Sequence, residues 1–208
     1  MELTNLNLPK TFSDLDQRLV SQDLTQWSGA VNLLFVEDCI LLIKRSDEMP
    51  SHRGQIGFFG GHKNPGEIEP MITAGREWSE ESGLASDDIE YIGLHQPVRT
   101  SRNRMIIPAV GYYKESLNKL FKTVVSNGEW SNLVAVKIDK VKDENLWTSA
   151  QVLSGKDQFS FHFFPLIEDH TRYYHDDFAV PYTLWGASAK MILNFFKNPK
   201  LDDNFPLF

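Results

Sequence analysis

Glu77, Glu80 and Glu81 stand at i, i+3 and i+4, so a helix through them gathers three carboxylates on one face. Left unneutralised they repel one another, which is tolerable on a solvated face or beneath a divalent cation. Hard cations such as Mg²⁺ take oxygen ligands and keep waters and substrate phosphates in their shell. Upstream, Gly60 and Gly61 allow backbone amides and carbonyls to approach the same spot. Glu67 adds a further carboxylate, and Arg76 a guanidinium that donates hydrogen bonds and cannot ligate metal. Taken without its surroundings, the glutamate cluster reads most plainly as a solvated helix face.

The segment presenting these groups runs from Gly60 to Leu84 as a glycine turn, a short polar loop and one helix. Pro70 suits the first helical turn and Gly83 the position just past the last. Met71, Gly75, Trp78 and Ser82 recur at helical spacing and are expected to form the packed face. The three glutamates are expected to share a different one.

The order Gly61, five residues, Glu67, eight residues, then Arg76-Glu77-Trp78-Ser79-Glu80-Glu81-Ser82-Gly83-Leu84 closely resembles the Nudix box. That box is written G-x5-E-x7-R-E-U-x-E-E-x-G-U, with U apolar. The one extra residue before Arg76 is similar to the coenzyme A diphosphatase branch of the Nudix family. Just ahead, Leu41, Leu42, Arg45, Ser46, Gly54, Phe58, Gly60 and Gly61 fall in register with that branch's second signature, L-L-T-x-R-S-x3-R-x3-G-x3-F-P-G-G. Ile43, Pro50 and Phe59 depart from it, and Arg53 lies three residues beyond the missing arginine.

The resemblance implies an α/β fold: a Nudix-type α/β/α sandwich with a mixed β-sheet, spanning about residues 29–197. It also implies cleavage of a diphosphate bond with Mg²⁺ or Mn²⁺ as cofactor. Glu77, Glu80 and Glu81, with a carbonyl of Gly60 or Gly61, are the candidate metal ligands. Arg76 would hold Glu67 or a ligand carboxylate in place. The general base stays open among Glu77, Glu80 and the downstream Glu129. Arg45, Arg53, Arg99 and Gly61 are the candidate contacts to a small-molecule diphosphate substrate; Arg102 and Arg104 lie in the same loop as Arg99. Coenzyme A or its thioesters is the first substrate reading. Nucleotide sugars, ADP-ribose and nucleoside triphosphates are the alternative. A nucleotide-sensing domain that binds without cleaving is a third reading, although such domains commonly lose the box carboxylates that are retained here.

The 208 residues suffice for one domain with terminal extensions. A net charge of −7 argues against holding nucleic acid or anionic membrane by bulk electrostatics. One cysteine, Cys39, excludes an intramolecular disulfide and is expected in the core. The first ten residues lack a signal-peptide pattern, and the apolar window from Ala30 to Ile43 is interrupted by Asn32, Glu37 and Asp38. A cytoplasmic protein is expected.

Residues 1–28 are expected to form an extension with a short helix capped by Ser13 and carrying Leu15, Leu19 and Val20, which docks or forms a homodimer. Residues 198–208 form a tail. Strands are predicted over Ala30–Val36 and Cys39–Lys44 about a Glu37-Asp38 turn, then Ile89–Leu94, Met105–Tyr113 and Leu133–Ile138. Alternation of Phe159, Phe161 and Phe163 predicts a strand burying that aromatic face. His170–Asp177 reads as a loop, and a last helix is predicted from about Trp185, a packing residue, to Phe196.

Overall fold

The computed structural model describes residues 27–100, 103–154, 157–173 and 182–196. The expected N-terminal helix, Arg102 and the C-terminal tail lie outside them. Near-continuous apolar runs produce the central strands, as expected where a sheet is covered on both faces. β1 (Gly29–Val36) and β2 (Cys39–Arg45) form the predicted hairpin. Its Glu37-Asp38 turn lacks glycine, yet Glu37 adopts φ +53°. The Glu37 carboxylate accepts from the Leu117 amide at 3.2 Å, and Arg172 reaches both Glu37 and Asp38. Side-chain ties thus substitute for the favoured turn residue.

β3 (Ile56–Gly57) pairs with β2, and β4 (Gly60–His62) pairs with β1. Helix α1 (Pro70–Ser82) follows, beginning on proline and ending at Gly83, whose left-handed φ of +70° lets its amide donate to Ser79 O. Then come β5 (Ile89–Leu94), β6 (Val98–Arg99), β7 (Met105–Tyr113), α2 (Leu117–Thr123), β8 (Trp130–Lys137) and α3 (Ile138–Lys142). A hairpin of β9 (Thr148–Ser154) and β10 (Asp157–Leu166) leads to β11 (Thr171–Tyr173), β12 (Tyr182–Leu184) and α4 (Gly186–Phe196).

The main sheet has the order β11-β8-β2-β1-β7-β5, with β3, β4 and β6 attached at its sides. It is mixed: β1 and β7 run parallel, the other pairs antiparallel. On one face Leu34, Leu41 and Ile43 pack under Trp78 of α1 and Leu120 of α2. On the other, Leu33, Phe35, Ile40 and Leu42 pack under Met191 and Ile192 of α4 and under Phe164, Leu166 and Leu184 of the small β12-β10-β9 sheet. The α/β/α sandwich is as expected, with a small sheet sharing one outer layer.

Four local expectations change. The buried face of β10 carries Phe164 and Leu166, while Phe161 and Phe163 stay partly exposed. Thr171–Tyr173, read as loop, pairs with β8 as an edge strand. The strand read as Leu133–Ile138 begins at Trp130 and ends at Lys137, where the chain turns into α3. Trp185, read as a packing residue, is 41 % exposed because it precedes α4 rather than facing the core. Cys39 is a core residue as expected, and burial pushes its thiol up to about 12, so it stays protonated.

His95, just past β5, is 4 % exposed, and burial holds its imidazole down at about 4. The unfolded chain gains a proton near the ordinary histidine value of about 6.5, while the folded chain resists until about 4. Stability is therefore expected to be undiminished above pH 6.5 and to fall as pH drops toward 4, by at most about 3 kcal/mol from this group. Melting curves between pH 7 and 4 should be flatter for His95→Leu than for the wild type; parallel curves would show that another group governs the acid side.

Candidate active site

The site begins where β4 lies against β1. Gly60 pairs with Val31 and Gly61 with Ala30. A Cβ on Gly60 would meet Ala30 O at 2.4 Å and Val31 Cα at 2.6 Å, and the residue sits at φ +146°. Only glycine fits there. A Cβ on Gly61 would fall 2.4 Å from Glu77 Oε1, so the carboxylate occupies the space a side chain would take. The Gly60 amide donates to Glu81 Oε2 at 2.8 Å. These contacts bring two glutamates of α1 onto the glycine turn.

Glu81 departs from the expectation that the three glutamates share one face apart from the packed one. It is 1 % exposed, on the packed flank of α1 with Thr73, Ala74, Gly75, Trp78 and Ser82, whereas the Glu80 side chain is 55 % exposed. Glu81 follows Glu80 by one residue, about 100° around the helix, enough to turn it from the exposed rim toward the interior. Trp130 Nε1 donates to Glu81 O at 2.7 Å and anchors the last turn. Phe59 and Trp130 meet edge to face at a centroid distance of 5.9 Å, as do Phe59 and Trp78 at 4.9 Å. An aromatic wedge therefore sits beneath the glutamates.

Arg76 is the hub. Its Nε donates to Glu67 Oε1 at 2.8 Å and its Nη2 to His62 O at 2.9 Å, while Nη1 lies 2.9 Å from both Glu77 Oε1 and Glu80 Oε2. Glu67 also accepts from Thr73 Oγ1 and, at 2.8 Å, from the Asn64 amide. Desolvation pushes the Glu67 carboxyl up, but the bonds from Arg76, Thr73 and Asn64 outweigh it and hold it at about 2. Hydrogen bonding to Glu67, and the charge of Glu77, keep Arg76 protonated.

The Glu77 and Glu81 carboxyls behave oppositely. Burial raises Glu77, with Arg76 opposing and the charges of Glu80 and Glu129 adding to the rise. Burial pushes Glu81 up to about 8, with the Gly60 amide opposing and Glu77 and Glu129 reinforcing it. Carboxylates that raise one another inside a partly buried cradle are suited to a positive ion. An all-oxygen set of this kind suits a hard divalent cation. Among the described residues no three such groups already converge at ligating distance: Glu77 and Glu80 rest on Arg76, and Glu81 on the Gly60 amide.

Glu129 comes from the residue before β8, far away in sequence. The Ser46 amide donates to Glu129 O at 2.8 Å, and Arg45 Nη2 lies 3.9 Å from Glu129 Oε2. Arg45 Nε is buried with no hydrogen-bond partner among the described residues. Arg45 and Glu129 thus pair with each other, and both charges act on Glu81 of the box. Arg99 and Arg53 do not touch it: Arg99 Nη1 donates to Asn103 Oδ1 at 3.2 Å in the β6–β7 turn, and Arg53 Nε to Met49 O at 2.6 Å on an exposed loop. Arg104 contacts the His62 imidazole, and the His62 carbonyl takes Arg76, so the β6–β7 turn borders the site through His62.

Two participants escaped the sequence reading. His62 follows the glycine pair, and its backbone role carried no signal. Asn32 had registered only as a break in an apolar window; its side chain is bonded to the carbonyls of Phe59 and Ala74 on either side of the site.

"Nudix hydrolase 3" of Caenorhabditis elegans is 35 % identical over 105 residues, 50 % of this chain and 43 % of that protein. "Peroxisomal coenzyme A diphosphatase NUDT7" of Mus musculus is 23 % identical over 152 residues, 73 % of this chain and 60 % of its own length. The matches thus span roughly half of these curated relatives. Among solved structures, a MutT/nudix family protein from Enterococcus faecalis aligns with a TM-score of 0.45 at 16 % identity, covering 89 % of this chain and 68 % of that one. Residues 26–166 match the NUDIX domain family, and the chain belongs to it.

Proposed function

We propose that the site hydrolyses a diphosphate bond in a nucleoside diphosphate derivative, with Mg²⁺ or Mn²⁺ held by Glu77, Glu80, Glu81 and a backbone oxygen of Gly60. The observation that carries this reading is the seating of Glu77 and Glu81 on the Gly60–Gly61 turn, with Arg76 gripping Glu67, Glu77 and Glu80. When bound, the cation neutralises phosphate oxygens and lowers the pKa of a water aimed at phosphorus.

The chain's own groups do the remaining work. Arg76 holds the carboxylate rotamers, and Glu67, kept ionised, holds Arg76. A carboxylate takes a proton from the attacking water; the water oxygen bonds to phosphorus as the bridging P–O bond breaks, and the bridging oxygen leaves with the other phosphate. Glu77, Glu80 and Glu129 all qualify for the proton, and the charge coupling of Glu129 to both Glu77 and Glu81 supports its presence at the reacting centre. Arg45, with its buried unpartnered Nε, offers a fork of donors to a phosphate oxygen.

Coenzyme A or its thioesters, giving adenosine 3′,5′-bisphosphate and 4′-phosphopantetheine, is the substrate reading best supported. The second signature carries it, and burial alters the weight of that signature's mismatches. Ile43 and Phe59 are 0 % and 1 % exposed, so both departures are packing changes out of a substrate's reach. Pro50 alone is exposed. That one position keeps ADP-ribose, nucleotide sugars and nucleoside triphosphates as the second reading. Products should be resolved chromatographically after incubating the purified chain and Mg²⁺ with each substrate. Turnover of ADP-ribose with none of coenzyme A would end the first reading.

Arg104 borders the box through His62, Arg99 is bonded to Asn103 in the same turn, and both are taken as contacts to outlying phosphate. Replacing both by alanine is expected to raise KM about 10-fold with kcat within threefold, the pattern of lost charged hydrogen bonds made equally before and at the transition state. An unchanged KM would remove this loop from the substrate site.

A further inference from the structure

Asn32 lies midway along β1 and is 1 % exposed, in a strand whose other inward positions are apolar. Its Nδ2 donates to Ala74 O at 2.8 Å and to Phe59 O at 3.3 Å. The Tyr91 hydroxyl donates to Asn32 Oδ1 at 2.5 Å. Only the NH₂ end of the amide can face two carbonyls, so it has one workable orientation, and the tyrosine hydroxyl on Oδ1 holds it there.

Neither carbonyl depends on this side chain for satisfaction. Phe59 O already accepts the Asn32 backbone amide at 2.8 Å, and Ala74 lies within α1, where its carbonyl faces the amide four residues on. The carboxamide is therefore not a repair of orphaned backbone; its consequence is geometric. Phe59 immediately precedes Gly60, and Ala74 lies two residues before Arg76 and three before Glu77. One side chain ties the glycine turn to the helix that carries the glutamates. Gly75 keeps space open beside the tie: a Cβ there would lie 3.8 Å from the Tyr91 hydroxyl and 3.3 Å from Ser86 Cβ.

We propose that Asn32, oriented by Tyr91, is a positioning residue that holds the Gly60–Gly61 turn and α1 at the spacing a divalent cation requires. This rests on the box being a cation site. The spacing in question is set by the Gly60 amide on Glu81 and by Glu77 against Gly61, contacts in which a small slide of the helix along β1 would be felt directly.

The test is Mn²⁺ binding, followed by loss of the free-ion electron paramagnetic resonance signal and by the Mn²⁺-induced rise in melting temperature. Wild type, Asn32→Leu and Tyr91→Phe are compared. The leucine variant keeps the branched heavy-atom skeleton and leaves both carbonyls with their backbone partners. It is expected to melt cooperatively yet bind Mn²⁺ about 10-fold or more weakly, the order lost when groups supporting metal ligands are removed. Tyr91→Phe is expected to shift affinity in the same direction by a smaller factor, about threefold, because the amide keeps its donors but loses its anchor. A purely structural role would lower the melting temperature and leave Mn²⁺ affinity alone; that result in Asn32→Leu overturns the proposal. If Asn32→Leu does not fold, unchanged affinity in Tyr91→Phe overturns it. Failure of the wild type itself to bind Mn²⁺ would instead sink the cation reading of the box, and the tether with it.

Discussion

Glu81→Gln is expected to abolish most turnover while leaving the fold intact, with kcat falling about 10²- to 10³-fold, the order lost when one preorganised electrostatic group leaves a water-excluded site. The amide keeps the shape and can still accept the Gly60 N–H now bound at 2.8 Å. What it lacks is charge. In the metal-free chain that charge is a burden, since burial pushes the Glu81 carboxyl up to about 8. The fold tolerates the ionised group rather than needing it, so the melting temperature in chelator should be equal or higher in the variant. A surface glutamate would show neither effect. Full activity in a folded Glu81→Gln chain would place the ligands elsewhere, with Glu129 the next to examine. A wild type that binds nucleotide but cleaves none of the substrates would favour the sensing reading.

Arg76→Ala should act on both stability and turnover. The guanidinium meets three carboxylates and the His62 carbonyl, and its side chain is 24 % exposed. Removal leaves Glu67, Glu77 and Glu80 facing one another in a partly buried space. The cost in chelator is expected to be about 2 kcal/mol, below the range for a fully buried pair because solvent screens part of it. For a chain of this size that is a drop of roughly 4–8 °C in melting temperature. Mg²⁺ should return part of it, since a bound cation takes over the neutralisation of Glu77 and Glu80. Arg76→Lys should recover little, because one ammonium cannot span three carboxylates and a carbonyl in fixed directions. Turnover should fall 10- to 100-fold through misplaced ligands. Melting of both variants with chelator and with Mg²⁺ checks the argument; an identical deficit in both conditions would mean that Arg76 serves packing alone.

Much of this was legible in the residues. Helix α1 was bounded by Pro70 and Gly83 because both act through their own backbone: proline has no N–H to lose in a first turn, and glycine accepts the left-handed φ of +70°. The strands from Ala30 to Leu42 followed from unbroken apolar runs covered on both faces. Gly61, Glu67, Arg76, Glu77 and Glu80 met as their spacing implied, because a loop and one rigid helix leave few other ways to place them.

Where periodicity was read for the wrong layer, it misled. The phenylalanine alternation in β10 was real, but the adjacent register, Phe164 and Leu166, faces the core, and only the partner sheet decides which face is covered. Likewise Thr171–Tyr173 carries no strand signal of its own strength; it is a strand because β8 presents a free edge to it.

The sequence by itself determined the make-up of the box: which ionisable groups it holds and in what order they stand along one helix. Only the tertiary structure decided how those groups are environed. It buried Glu81 while leaving Glu80 half in solvent, set Glu129 and Arg45 beside each other with both charges acting on Glu81, and buried Ile43 and Phe59. It also turned Asn32 from an interruption into a tie across the site. The physical reason is range. Backbone preference and helical spacing act over a few residues, whereas burial and charge coupling depend on which distant segments the packing of the sheet brings together.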